Sequence, residues 1–116
     1  MATVRLDQKS RALVRAIPNS YSRALANFFG TGPTDIELAK THHAAYVEAL
    51  TSNGVEVTVL EADDNHPDCI FVEDQAVVID GHVLLPVPGH ESRRGEQPPI
   101  TEFLYEELEG HQICKM

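Results

Sequence analysis

The amino-acid sequence predicts an α/β fold, and three observations predict it. A strand-like run, an amphipathic helix and a second strand-like run succeed one another in the first half of the chain. Asp80-Gly81 separates two short apolar runs, the pattern of a β-hairpin. Pro98-Pro99 then opens a second segment of helical period near the end.

Taken in order, Ala12-Leu13-Val14-Arg15-Ala16-Ile17 is a short apolar run stopped by Pro18-Asn19-Ser20, a strand ending in a turn. Residues 21–33 carry Phe28-Phe29-Gly30-Thr31-Gly32-Pro33 without a clean period and read as a loop. Thr34 and Glu37 have capping-box spacing, which predicts a helix start. Ile36, Ala39, His43, Val47 and Leu50 fall on one face of that helix, with Tyr46 at its margin. Asn53-Gly54 supplies the stop. Val55 to Leu60 alternates and is β-branched, so it is a strand, and the three elements together outline a βαβ-like unit.

Ala62 to Asp68 is polar and acidic, hence a loop. Cys69 to Val72 is short and apolar and is expected to be a buried strand segment. Ala76 to Ile79 and His82 to Leu85 form the hairpin strands, and Pro86 to Ser92 is a turn-rich connection. The helix after Pro98-Pro99 carries Ile100, Phe103, Leu104 and Leu108 on one face and stops at Gly110. Residues 1–10 are expected to form a tail, residues 11–109 the domain, and residues 110–116 a frayed end without pattern.

A length of 116 residues fits one domain, since domains usually run to roughly 100–200 residues. Eighteen acidic residues against nine basic ones give a net charge of −9, which argues against nucleic acid as a partner. The same balance suits a cationic small molecule, because an acidic cleft concentrates cations, though a generally acidic surface accounts for it as well. No apolar run is long enough to span a membrane, and the N-terminal residues lack the apolar core of a signal peptide. Cys69 and Cys114 have no metal-like or redox-like spacing, so a cytoplasmic protein with free thiols is the expectation.

Asp68, Glu73 and Asp74 flank the apolar run of residues 69–72. A guanidinium presents five N–H donors in a fixed plane, so converging carboxylates match it in charge and shape. Read alone this signal is weak, because acids at strand ends are mostly solvated. Histidine gives no second chemistry. His42 and His43 lie on the first helix, His66 stands among loop acids without a metal-ligand spacing, and His82, His90 and His111 are surface or turn residues.

The order of several short stretches adds to this. They are Val14-Arg15-Ala16-Ile17-Pro18-Asn19-Ser20, Glu37-Leu38-Ala39-Lys40 with Tyr46-Val47-Glu48-Ala49-Leu50, and Pro67-Asp68-Cys69-Ile70-Phe71-Val72-Glu73-Asp74 with Ala76-Val77-Val78. Pro88-Gly89 with Ser92-Arg93-Arg94 completes the set. At each of these places the sequence resembles the dimethylargininases (dimethylarginine dimethylaminohydrolases), members of the arginine deiminase-like, guanidino-modifying superfamily. The resemblance runs from about residue 11 to about residue 97, and the Pro-Asp-x-x-Phe-Val-Glu-Asp element is its most specific part.

That resemblance implies a pentein-type α/β propeller of ββαβ modules, of which this chain would supply about the first two. It implies that Asp68, Glu73 and Asp74 hold a substrate guanidinium and that Arg93 binds the substrate's α-carboxylate. The loop after Ser20 corresponds to the family's substrate lid, and an ungapped placement puts its substrate contact at Ala26. The family hydrolyses methylated arginines to citrulline and methylamines, in arginine catabolism and nitric oxide regulation, without a cofactor. A cysteine thiolate and a histidine perform the reaction, and both lie in the C-terminal half of a chain more than twice this long. Neither Cys69 nor Cys114 matches that nucleophile, and acids around Cys69 would disfavour a thiolate there. The expectation is therefore a partial, inactive binding portion with no catalytic residue of its own, open to self-association or to a C-terminal complement. The alternative is a non-catalytic interaction fragment that binds partner chains.

Overall fold

The structure is a computed structural model that describes residues 10–25, 34–108 and 110–116. It divides into two units, Met1–Ile70 and Phe71–Met116.

In the first unit the strands β1 (Arg11–Arg15) and β2 (Glu56–Leu60) pair in parallel, with Arg11 opposite Glu56 and Arg15 opposite Leu60. A parallel pair needs a crossover, and α1 (Ile36–Ser52) provides it, so the expected βαβ unit is present. The expected helix face is present too. Ile36, Ala39, His43, Val47 and Leu50 are half-buried, whereas Tyr46 is exposed. The cap differs by one residue. Asp35, not Thr34, is the N-cap, and its carboxylate accepts the Leu38 amide at 2.9 Å. Aspartate caps as well as threonine or better, and its charge also complements the helix N-terminus. Gly54 ends the helix at φ +83°, a conformation that glycine adopts without a Cβ clash.

The expected loop from residue 21 begins as a short 3-10 helix, Asn19–Arg23, and residues 26–33 lie outside the described ones. The segment Cys69 to Val72 is not a strand. His66 N–H donates to Asp63 O and Cys69 N–H to His66 O, so the chain turns, and a second 3-10 helix runs over Val72–Gln75. Backbone groups satisfied locally leave no ladder for a strand to join. Among the described residues of this unit, the buried apolar side chains are Ile17, Pro18 and Cys69.

In the second unit β3 (Val77–Ile79) and β4 (His82–Leu85) form the expected antiparallel hairpin, with Val78 opposite Val83. Asp80 and Gly81 both take positive φ, 36° and 80°, the signature of a type I′ turn, whose twist matches the strands. A third 3-10 helix, Glu91–Glu96, runs directly into α2 (Gln97–Glu107), which carries its prolines in the first turn. Val83 and Leu85 of β4 and Ile100 and Leu104 of α2 make the buried core.

The end of the chain corrects the sequence reading. Gln112–Lys115 is a strand, β5, paired in parallel with β4 from His82↔Gln112 to Leu85↔Lys115, and not a frayed end. Four residues with no alternation give no signal of their own. The partner strand lies about thirty residues upstream, and long-range pairing of that kind is not legible locally. Among the described residues, no helix is long and apolar enough to cross a membrane.

Candidate functional site

In the second unit, two 3-10 helices present facing charges. Phe71 precedes the first, Val72–Gln75, which carries Glu73 and Asp74 in its opening turn. The second, Glu91–Glu96, is started by the His90 ring, which accepts the Ser92 amide at 3.2 Å, and this turn carries Arg93.

Arg93 joins the two. Its Nη1 donates to Asp74 Oδ2 at 2.7 Å and its Nη2 to the Phe71 carbonyl at 2.9 Å. Glu96 takes the other edge, accepting from Nε on both carboxylate oxygens at 3.2 Å and from Nη2 at 2.9 Å. The guanidinium also lies 5.9 Å from the centroid of the Phe71 ring, within reach of a cation–π contact. Burial acts to lower the Arg93 pKa, but the hydrogen bonds and charges of Glu96 and Asp74 outweigh it and raise the pKa, so the group stays cationic.

The two carboxylates differ in setting. The Glu96 side chain is 2% exposed and that of Asp74 56%. Gln75, fully buried, donates from Nε2 to Glu96 Oε1 at 3.1 Å. Gln97 extends the frame, donating to the carbonyls of Gln75 at 3.2 Å and Pro86 at 2.6 Å. The arrangement is a half-exposed carboxylate on a rigid base, able to accept donors from a ligand.

In the first unit the acidic loop holds the 15–25 stretch. Both oxygens of buried Asp68 accept the Leu25 amide at 3.1 Å, and Asp64 accepts the Ser20 amide at 3.3 Å. Asp63 accepts from His66 Nδ1 at 2.7 Å and lies 4.0 Å from Arg15. The His66 bond, followed by the Asn65 amide, holds the Asp63 carboxyl below its usual pKa. The Cys69 thiol faces the carbonyls of Ala16 and Asp63 at 3.9 and 3.8 Å.

Of the residues expected to form the site, Asp74 and Arg93 are in direct contact, with exposed Glu73 next to Asp74 in the same turn. Asp68 belongs to the first unit and is bonded there to Leu25. Ala26 lies outside the described residues. Sequence reasoning missed Glu96 and Gln75. The Arg93–Glu96 spacing of three, on a helical turn, was the available signal. A cleft of about 380 Å³ elsewhere on the second unit, lined by Arg94, Gln97, Pro98, Thr101, Glu102 and Lys115, includes none of the expected site residues.

Comparison with known proteins identifies the family. The profile for N,N dimethylarginine dimethylhydrolase, eukaryotic, matches residues 19–116. The N(G),N(G)-dimethylarginine dimethylaminohydrolase of Pseudomonas aeruginosa is 39% identical over 71 residues, 61% of this chain and 28% of that protein. The enzyme of the same name from Streptomyces coelicolor is 37% identical over 92 residues, 79% of this chain and 36% of that protein. The crystal structure of the Pseudomonas enzyme, a cysteine-to-serine mutant complexed with citrulline, superposes with a TM-score of 0.85 at 30% identity, over 93% of this chain and 42% of that one. The chain thus spans well under half the length of these relatives. With a profile match over most of its length and the same α/β fold, the chain belongs to the dimethylarginine dimethylaminohydrolase family, within the arginine deiminase-like superfamily.

Proposed function

We propose that this chain is the N-terminal, substrate-binding portion of a hydrolase that converts N(G)-methylated arginines to citrulline and methylamines. In this reading Asp68, Glu73 and Asp74 receive the substrate guanidinium, Arg93 meets the α-carboxylate, and Ala26 lies in the lid. The observation that supports it most is the turn over Phe71–Gln75, where half-exposed Asp74 is held in place by Arg93. A carboxylate whose base is fixed and whose face is open accepts a guanidinium at low ordering cost.

The thiolate that attacks the guanidinium carbon, and the histidine that moves protons as methylamine leaves and water enters, belong to the remainder of the family fold. The chain alone is therefore inactive and forms about the first two modules of a propeller. The whole hydrolase acts in the cytoplasm on methylated arginine, without a cofactor. The test joins this chain to the C-terminal remainder of the Pseudomonas relative and follows citrulline release from dimethylarginine. The joined protein should turn over, and Asp68→Ala and Asp74→Ala should each abolish most of that activity, while Glu106→Ala on the exposed side of α2 should not. Equal loss at all three positions would remove the case for a guanidinium clamp.

A second reading is a non-catalytic interaction fragment that self-associates or accepts a C-terminal complement. It is favoured by exposed Val77, Val78, Ile79 and Leu84 on the β3–β4 hairpin.

A further inference from the structure

We infer that Gln97 is a positioning residue: its side-chain amide supplies the hydrogen-bond donor that Pro86 lacks, and so fixes the exit of the turn that carries Glu73 and Asp74. This rests on the proposal that these carboxylates receive a guanidinium.

The register of the hairpin creates the need. Ile79 faces His82 across the two-residue turn and Val77 faces Leu84, so two places further along the same register Gln75 falls opposite Pro86. Residues that flank such a turn exchange both their backbone hydrogen bonds, and every second pair after them does the same. Gln75 and Pro86 therefore fall on a bonded position. The other edge of β4 agrees. The Leu85 carbonyl faces β5 and accepts the Met116 amide at 3.1 Å, so the Pro86 carbonyl faces the β3 side. Proline has no N–H, and Pro86 cannot donate to the Gln75 carbonyl.

Gln97, the first residue of α2, supplies the donor instead. Its Nε2 donates to the Gln75 carbonyl at 3.2 Å and to the Pro86 carbonyl at 2.6 Å. Both partners only accept, so the atom between them is the amide nitrogen and not the oxygen. A primary amide carries two N–H groups, one for each carbonyl. Arg93 holds the entry of the turn, at the Phe71 carbonyl, and the Asp74 carboxylate. Gln97 holds its last carbonyl, that of the residue after Asp74. A turn fixed at both ends presents its carboxylates in one orientation, which lowers the ordering cost of meeting a planar guanidinium.

The test is NMR on the full ¹⁵N-labelled chain, with dimethylarginine as the ligand. Without ligand, the Gln97 side-chain protons should exchange with solvent more slowly than those of exposed Gln112. Gln97→Met keeps the length of the side chain and removes both donors. In that variant the amides of Glu73 and Asp74 should shift, while those of Gln112 and Ile113, paired with the far end of β4, should not. Dimethylarginine should then bind roughly threefold or more weakly, the order set by one net hydrogen bond.

Gln97→Met combined with Pro86→Ala separates a donor from a packing role. Alanine restores the backbone N–H that the register aims at the Gln75 carbonyl. The double variant should therefore return the Glu73 and Asp74 amides toward their wild-type positions and regain most of the affinity. A packing defect at residue 97 would not be mended from residue 86. Gln97 protons that exchange as fast as those of Gln112, Gln97→Met affinity equal to wild type, or a double variant no better than the single one overturns the inference. If the single variant does not fold, a double variant that folds supports the donor role, and one that does not overturns it. If wild type binds no dimethylarginine, the guanidinium site fails, and the amide shifts with their return in the double variant still decide whether Gln97 positions the turn.

Discussion

Arg93 Nη1 stands 2.7 Å from Asp74 Oδ2, nineteen residues away in sequence, and the contact ties the turn of residues 72–75 to the turn of residues 91–96. Because Arg93 also holds buried Glu96, its removal takes a cation away from a carboxylate in the interior. Arg93→Ala should therefore cost about 3 kcal/mol of stability, the order for breaking a buried pair by removing one partner. Arg93→Lys keeps the charge, loses the fork, and should cost less. Urea denaturation of the three chains measures this, and an Arg93→Ala midpoint equal to that of wild type contradicts it.

The hairpin turn offers a cleaner backbone test. Gly81 has φ +80°, where an L side chain is strained even though nothing lies within 4 Å of the place a Cβ would occupy, so Gly81→Ala should destabilise by about 1 kcal/mol. Gly89 has ordinary φ and open space, and Gly89→Ala should be neutral or slightly stabilising. The same midpoint shift in both variants would contradict the type I′ geometry.

These features differ in how far the sequence announced them. The α1 face of Ile36, Ala39, His43, Val47 and Leu50 and the Asp80-Gly81 turn depend on neighbours in sequence, and both were legible. The cap was legible only to within one residue, because Thr34 and Asp35 are both good caps and the geometry alone selects between them. Strand β5 and the turn at residues 67–70 were misread because pairing with β4, and local bonding by His66 and Cys69, decide them. Asp74 and Arg93 were marked by resemblance, but their contact, and the part Glu96 plays in it, needed the fold.

Stability should fall as the medium is acidified, in two steps. Partial burial lowers the His43 pKa from its ordinary 6.5. The folded state then binds this proton less readily than the unfolded one, so the contribution is full above pH 6.5 and is lost as pH falls below it. His43→Gln should flatten the pH dependence just below pH 6.5. The Asp63 pKa is lowered from 3.8, chiefly by His66, so its contribution is present above that value and is lost in stronger acid. Thermal melts across pH check both windows, and an unchanged slope in His43→Gln contradicts the first.

Exposed Val77, Val78, Ile79 and Leu84 should make the chain associate as its concentration rises, since apolar burial is not screened by salt. Sedimentation at several concentrations should show this, and Val77→Lys with Ile79→Lys should reduce it. A concentration-independent monomer with a sharp, high-temperature melt would speak against a partial fold.

The most direct measurement of the central claim is an NMR titration of the ¹⁵N-labelled chain with dimethylarginine, followed residue by residue. Two or three charge-assisted contacts, set against the entropy of capture, predict a Kd of about millimolar. The amides of Glu73 and Asp74 should shift with that affinity, and Asp74→Ala should abolish the shifts while leaving the fold intact. Dimethylarginine that leaves residues 71–75 unmoved, or that binds Asp74→Ala as well as wild type, contradicts the account.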